Sequence, residues 1–409
     1  MMTHASTPPL SLPADAAVRG SNHQGMRQYN ERIVLQAIRL HGPIPKADLA
    51  RLTQLSTQTV SIITERLMGE GLLLKQARVR GKIGQPSIPL ALNPVGAYSV
   101  GVQLGRRSME VLLADFTGAI RHHQVMHYDY PDPDTCLPQL AHMLAAMQDR
   151  FADEWPRVVG VGLSAPFSME QWASLMGPNA AAALQRWRDL DLLAAVEAMV
   201  RLPVTFARDT VAACTAELLQ GHGQRVRSFL YVFLGTFVGG GLVVAGHLWQ
   251  GPRGNAGAIG SLPMGVAQAD ASPAQLLELA SGWQLEQALM QAGHNPDLIY
   301  QPEIMAQPLA AQVQPWLAHA SNALAHVVTS TTALLDLDAI VIDGSVHADL
   351  LQALMRQTEQ RMHAYSFVGI HTPRLLKGEV GPLARALGGA LMPLHSQFFP
   401  DKDIFLKSV

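Results

Sequence analysis

Apolar residues recur at helical spacing from Met26 to Leu40, where Ile33, Val34, Ala37, Ile38 and Leu40 share one face and His41-Gly42-Pro43 ends the run. A second short helix is predicted from Lys46 to Leu52. The connection Thr53-Gln54-Leu55-Ser56 follows, with Leu55 as a core plug and Ser56 as an N-cap. The third helix, Thr57 to Gly69, buries Val60, Ile63 and Leu67 and is expected to present Thr57, Gln58, Thr59, Ser61 and Thr64 on its other side. GLLLKQ then reads as a strand, ARVRGKIGQPS as a loop and IPLALN as a returning strand.

Beyond residue 96 the period changes. AYSVGVQLGRRSMEVLLADFTGAIRHHQVM alternates as three strands joined by turns, an amphipathic helix follows around 137–150, and VVGVGLSA (158–165) is a buried strand. A helix at 188–201 leads to the strand PVTFARD and at once to another helix, TVAACTAELLQG. The stretch FLYVFLGTFVGGGLVVAG is a glycine-rich hairpin, helices run from 273 to 335, AIVIDGS (339–345) is a second buried strand, and GPLARALGGALMPLHSQFF closes the chain as a helix. Mixed sheets in two halves, joined by helices, predict an α/β body with a cleft between lobes.

At 409 residues, 48% hydrophobic and 15% charged, the chain has material for two or three packed domains, and wholesale disorder is excluded. Residues 1–25 read as a flexible tail, 26–93 as a winged helix-turn-helix, and 97–409 as a two-lobed body. Its first lobe spans about 97–205 plus the C-terminal helix, and its second about 206–380. Two cysteines supply neither a disulfide framework nor a cysteine-rich zinc site. No apolar run approaches the roughly 18 residues of a membrane span, and neither an apolar h-region nor a basic start marks the N-terminus, so the expected location is the cytoplasm.

The net charge of −2 hides an asymmetry: Arg19 to Pro89 holds eleven Lys/Arg against four Asp/Glu. A basic front module on an acidic body points to a polyanion partner for the front alone. Helix, short turn and polar-faced helix is the spacing that lays a helix in the major groove of double-stranded DNA. Ser56, Thr57, Gln58, Thr59, Ser61 and Thr64 are the candidates facing bases, Lys46 and Arg66 suit phosphates, and Arg78, Arg80 and Lys82 tip the wing. The competing reading of such a trihelical module is a protein-binding or dimerisation domain.

Six segments carry a more specific likeness: RGSN…YNERIVLQAIR, LARLTQLSTQTVS, GQPSIPLALNP, LGTFVGGGLVVAG, GNAGAIG and VIDGS. Occurring in this order, they make the chain resemble the ROK family (repressors, open reading frames and kinases), in particular its repressor branch. The resemblance covers about 19–399. It implies an actin-like, ribonuclease-H-like body of the sugar-kinase type behind the winged helix, assembled as a homodimer or a dimer of dimers.

What the family's kinases require is only partly present. Their first phosphate loop is Asp-x-Gly-x-Thr; here it is Gln103-Leu104-Gly105-Arg106-Arg107. The second loop, with Gly235, Thr236, Gly239 and Gly240, is close to intact, though a hairpin needing positive φ and close backbone approach would also hold glycines. The family's sugar-binding Asn-Asp pair becomes Arg208-Asp209, and a neighbouring Arg is expected to favour ionised Asp209. Ala-Gly-Glu-Ile-Gly-His becomes Ala256-Gly257-Ala258-Ile259-Gly260-Ser261, and the cysteine cluster of the family's zinc site is absent. A further family Glu is best matched by Glu278, one residue out of register with Ser281.

The resemblance thus implies a regulator that needs no cofactor or metal. Its kinase-like body would bind a sugar, sugar acid or sugar phosphate through Asp209, Arg208, Asn255, Ser164, Asn179 and Glu278. Asp209 has a plainer reading as a helix cap, and Trp187 reads as core packing. Two rival functions stay open: an ATP-dependent sugar kinase that also binds DNA, and a DNA-binding protein blind to small ligands.

Overall fold

The computed structural model describes residues 23–77, 88–166, 169–170, 178–267 and 272–400. Two compact units divide the chain, Met1–Leu92 with Phe398–Val409, and Asn93–Gln397.

The first unit opens with three helices, α1 (His23–His41), α2 (Lys46–Thr53) and α3 (Thr57–Gly69). Val34, Ile38, Leu49, Val60, Ile63 and Leu67 form their shared core. Gly42 takes φ +73°, which ends α1 cleanly, and Gln54 adopts the left-handed conformation after α2. Ser56 caps α3 as expected, its Oγ accepting from Thr59 N at 3.1 Å. Strands β1 (Leu73–Lys75) and β2 (Leu90–Leu92) pair antiparallel, and Ile44 bridges to Leu90 as an unanticipated third edge. Leu40, expected on the buried face of α1, is 39% exposed.

The second unit holds two five-stranded sheets of the same topology. The first comprises β3 (Tyr98–Leu104), β4 (Ser108–Asp115), β5 (Ile120–His127), β6 (Val158–Ala165) and β7 (Val204–Arg208), in the order β5-β4-β3-β6-β7. The second comprises β8 (Phe229–Leu234), β9 (Val238–Val244), β10 (His247–Trp249), β11 (Ala339–Gly344) and β12 (Arg374–Lys377), in the order β10-β9-β8-β11-β12. In each, three strands meander antiparallel and two more join parallel on the far side, after helical crossovers. The parallel strands β6 and β11 are buried almost throughout, which is why they read as continuous apolar runs.

Each sheet has its own core. The first packs on α4 (Pro133–Arg150), α5 (Pro178–Gln185) and α6 (Leu192–Val200). Trp187 lies in that core and donates Nε1–H to Pro131 O at 2.8 Å. The second sheet packs on α8 (Leu276–Ala280), α9 (Gly282–Gln291), α10 (Ala310–Leu335) and α11 (Ala348–Met362). Two further helices, α7 (Asp209–Gln220) and α12 (Ala384–Phe398), meet backbone to backbone: a Cβ placed on Gly388 would lie 1.7 Å from Ala212 O. Among the described residues no helix is long and apolar enough to cross a membrane.

Candidate ligand cavity and candidate nucleic-acid interface

The starts of α7 and α12 converge on a cavity of about 770 Å³. Asp209 and Thr210 reach it from α7, Arg385 from α12, Arg106 and Arg107 from the β3–β4 turn, and Thr236 from the β8–β9 loop. Both phosphate-loop equivalents therefore face one space, as the resemblance implies.

Of the two structural causes expected for the glycines of the second loop, close approach is the one seen and positive φ is not. None of Gly235, Gly239, Gly240 or Gly241 has positive φ. Gly239 and Gly241 lie in β9 because α7 passes close: a Cβ on Gly239 would sit 2.7 Å from Thr210 Cγ2, and one on Gly241 would sit 2.5 Å from Cys214 Cβ. Gly240 faces Tyr231 O at 2.5 Å in the same sense.

Arg107, in the position of the family's threonine, is tied down. Its Nη1 is 3.5 Å from Glu286 Oε1, and its Nη2 is paired with Asp297. Glu286 is 1% exposed and accepts the Tyr300 hydroxyl at 3.0 Å, and that hydroxyl lies 3.3 Å from Thr236 Oγ1. The chain Thr236–Tyr300–Glu286–Arg107 links the two loops across the cavity. Arg106 lies over the Trp283 ring, 5.0 Å from its centroid.

Asp209 and Arg208 do not pair as expected. Arg208 points to the next loop, donating Nε–H to Gly254 O at 3.2 Å and Nη2–H to Ala256 O at 3.1 Å. Burial lowers its pKa from the usual guanidinium range. The cation facing Asp209 is Arg385, 3.7 Å away, a partner missed in the sequence although GPLARAL announces a helix start. Asp209 is the first residue of α7 and accepts its neighbour's amide, Thr210 N, at 2.8 Å, but the N-cap position is Arg208 and no side chain caps the helix, so the plainer reading of Asp209 as a cap does not hold.

Three other expected contacts fall outside the cavity wall. Ser164 is fully buried and donates to Val102 O and Arg385 O, each at 3.2 Å, which fixes the start of α12 rather than a ligand. Asn255 is exposed on the loop that Arg208 anchors. Glu278 caps α8 by accepting Gln275 N at 2.7 Å, and its carboxylate is committed there. Asn179 sits in the first turn of α5, and its side chain lies outside the described residues.

In the first unit, α3 presents Thr57, Gln58, Ile62 and Glu65 to solvent. Thr64 is a correction: it is 0% exposed and its hydroxyl donates to Val60 O at 2.8 Å, the usual way a helix absorbs a buried Thr. Thr59 Oγ1 is engaged by the Ser56 cap at 2.8 Å. Arg66, expected to suit phosphates, joins α3 to α1 through Glu31 at 2.9 Å and also pairs with Glu70 at 2.8 Å. Lys46 reaches Ser61 Oγ at 3.1 Å and exposed Glu65 at 3.3 Å. Such an exposed pair contributes little to stability and is readily exchanged for a phosphate. Ile62, 62% exposed in the middle of this face, was not singled out from the sequence. Arg78, Arg80 and Lys82 lie outside the described residues.

A family model described as the ROK family matches residues 99–392. The chain belongs to the ROK family. Among named ROK relatives, the xylose repressor of Bacillus subtilis is 24% identical over 238 residues, 58% of this chain and 61% of that protein, so the match spans about three fifths of the repressor's length. A protein named a transcriptional regulator in Mycobacterium bovis is 25% identical over 384 residues, 89% of this chain and 85% of that one. The crystal structure of a ROK family transcriptional regulator, a homologue of the E. coli MLC protein, superposes with a TM-score of 0.65 at 22% identity, covering 91% of this chain and 98% of that one. A ROK family glucokinase from Streptomyces griseus, solved with glucose and AMPPNP, gives 0.56 at 19% identity over 72% of this chain and 98% of its own. The fold is thus that of the ROK proteins, shared by regulators and kinases alike.

One cluster of metal-ligand residue types, Glu217, His222 and Glu379, belongs to this ROK body as structure. Glu217 accepts His222 N at 3.0 Å, Glu379 N at 3.1 Å and Val380 N at 3.3 Å, and Glu379 pairs with Arg225. Burial pushes the carboxyls of Glu217 and nearby Asp343 above the usual range. A carboxyl raised on folding contributes stability fully present below its unfolded pKa, about 4, and lost as pH rises through the folded value. Glu217→Gln is therefore expected to flatten the decline in urea midpoint as pH rises above the ordinary carboxylate range of about 4; profiles parallel to wild type would contradict the assignment.

Proposed function

We propose that this chain is a DNA-binding transcriptional regulator, a repressor of carbohydrate uptake or catabolism genes, whose kinase-like body senses a sugar or sugar derivative without phosphorylating it. The observation that carries the reading is α3, set by a short turn against α2, with Thr57, Gln58 and Ile62 free on its outer face. The names of the Bacillus and Mycobacterium relatives support it. As a homodimer or dimer of dimers in the cytoplasm, it would place two such helices about one helical turn of DNA apart, or a multiple of that. A ligand that prefers one closure of the body would shift the population competent for DNA.

The chemistry of the cavity argues against phosphoryl transfer. Gln103 replaces the acid that places the metal–nucleotide in the family's kinases, and Arg107 occupies the first loop while bound to Glu286 and Asp297. The rival reading, a sugar kinase that also binds DNA, is separated by a coupled assay over a sugar panel with Mg-ATP. No turnover is expected, whereas turnover abolished by Asp209→Asn would establish the kinase.

Selection of bound fragments from genomic DNA, followed by competition with random DNA, tests the repressor reading. Gln58→Ala is expected to cost about 1–3 kcal/mol at particular base pairs and little on random DNA. Arg80→Ala is expected to weaken both and lower the salt slope. Equal losses on specific and random DNA for both variants would reject α3 as the recognition helix.

A further inference from the structure

The β3–β4 turn gathers polar atoms that the protein leaves without partners. Among the described residues nine buried side-chain nitrogen or oxygen atoms lack a hydrogen bond, and four of them are Gln103 Oε1, Gln103 Nε2, Arg106 Nε and Arg385 Nε. These three residues meet around Gly105. A Cβ placed there would lie 2.5 Å from Gln103 Nε2 and 3.5 Å from Arg385 Nη1. Arg106 and Arg385 both line the cavity. Native proteins satisfy nearly all such atoms, so orphans packed behind a cavity wall call for an explanation; Gln103 lies behind the wall, and Arg106 and Arg385 form part of it.

The direct ion pairs there leave one guanidinium out. Arg107 takes Glu286 and Asp297, Arg385 faces Asp209 at 3.7 Å, and Glu110 takes His123 at 2.9 Å. Among the described residues no carboxylate is in ion-pair range of Arg106, whose guanidinium rests on Trp283 instead. Burial lowers its pKa, the mark of a cation held away from water. Glu286 and Asp297 favour its charged form only from a distance while they hold Arg107, and a half-buried guanidinium in that position costs stability in the empty protein.

We propose that this corner of the cavity receives an anionic group, a carboxylate or phosphate monoester on a polyhydroxylated effector, with Arg106 as its main ligand and Arg385, on the same wall, as a second cation. The proposal rests on the sensing role given to the body above and names the class of ligand. The planar fork of Arg106 suits bidentate contact with either anion. Because the protein supplies the positive charge, the contact needs no divalent cation. An uncharged sugar can offer Arg106 only neutral hydroxyl acceptors, which lack the counter-charge and the bidentate fit.

The test uses the full chain in phosphate-free buffer, with melting curves and calorimetric titrations against inorganic phosphate, gluconate, glucose 6-phosphate and glucose. Phosphate and at least one sugar anion are expected to raise Tm, with glucose clearly weaker. Arg106→Met is expected to raise Tm of the unliganded protein, since it removes an unpaired charge, and to weaken the anions by roughly 10- to 100-fold. Arg106→Lys should recover part of that binding. Preference for gluconate over glucose 6-phosphate identifies a carboxylate effector, and the reverse a phosphate ester.

An Arg106→Met protein that melts lower when empty, or that keeps the wild-type response to phosphate, would overturn the proposal. Glucose binding as tightly as both its anions would do the same while leaving the sensing role intact. Silence from all four probes removes the anion corner; the sensing role falls with it only if a wider panel of neutral sugars is silent as well.

Discussion

Gly388→Ala is expected to destabilise the body by about 3–5 kcal/mol, read as a fall in the urea midpoint with an unchanged slope. The new methyl would sit 1.7 Å from Ala212 O and 2.3 Å from Ala212 C, so α12 meets the backbone of α7 and no side-chain rotation makes room. The same seam recurs twice nearby, where a Cβ on Gly162 would lie 1.8 Å from Gly389 O and one on Gly101 would lie 2.2 Å from Ala386 O. Ordinary overpacking costs about 1–3 kcal/mol, and a rigid backbone contact belongs at or above the top of that range. Gly235→Ala is the control: its nearest neighbour is Ser345 Oγ at 3.3 Å, and a change within about 1 kcal/mol is expected. Comparable losses in the two variants would show that α12 yields easily. The seam also bears on the cavity, because Asp209 and Arg385 open the two helices it locks together.

That seam shows what one-dimensional pattern conveys and where it stops. The glycines were visible, and so was a helix in GPLARALGGALMPL, but nothing in the spacing says that Gly388 faces Ala212. The glycine-rich loop was half legible: close backbone approach was expected beside positive φ, and β9 uses Gly239 and Gly241 for the first, to let α7 pass, but which helix approaches could not be read. Buried strands such as β6 and β11 were legible because burial on both faces writes an apolar run. β10, α11 and β12 were not anticipated, being short edges or rich in polar residues.

On α3 the sequence located the face and misjudged one member of it. Val60, Ile63 and Leu67 are buried as expected, but tertiary packing takes Thr64 with them, and its hydroxyl needs only the backbone to be satisfied. The candidate cavity was half legible. Gln103, Arg106, Arg107 and Asp209 were identified by position within motifs. Their partners Glu286, Asp297 and Arg385 lie far along the chain in segments with no motif of their own. Asn255, Ser164 and Glu278 carried the right chemistry in the right neighbourhood and proved committed elsewhere, to solvent, to two backbone carbonyls and to a helix cap.

Arg107→Met is expected to cost about 2–4 kcal/mol in the body, most of it from the carboxylate left behind. Glu286 is 1% exposed, and without Arg107 its remaining hydrogen bond is the Tyr300 hydroxyl at 3.0 Å. Arg107 is itself 25% exposed, so solvent screening holds the figure below the range for a fully buried pair. Glu286→Gln alone should cost less, because the amide keeps an acceptor for Tyr300 and the orphaned Arg107 retains Asp297. In the double variant the buried charge is gone, and much of the Arg107→Met loss should return. The cycle therefore predicts a coupling of about 1–2 kcal/mol by urea denaturation, whereas additive losses would mean that Arg107 and Glu286 do not interact. The pair matters beyond stability: Arg107 leaves the first sheet and Glu286 lies on a helix covering the second, so the contact spans the cavity. A variant lacking it should need less ligand binding energy to change the closure of the body, and its DNA affinity should respond less to the anionic probes than that of wild type.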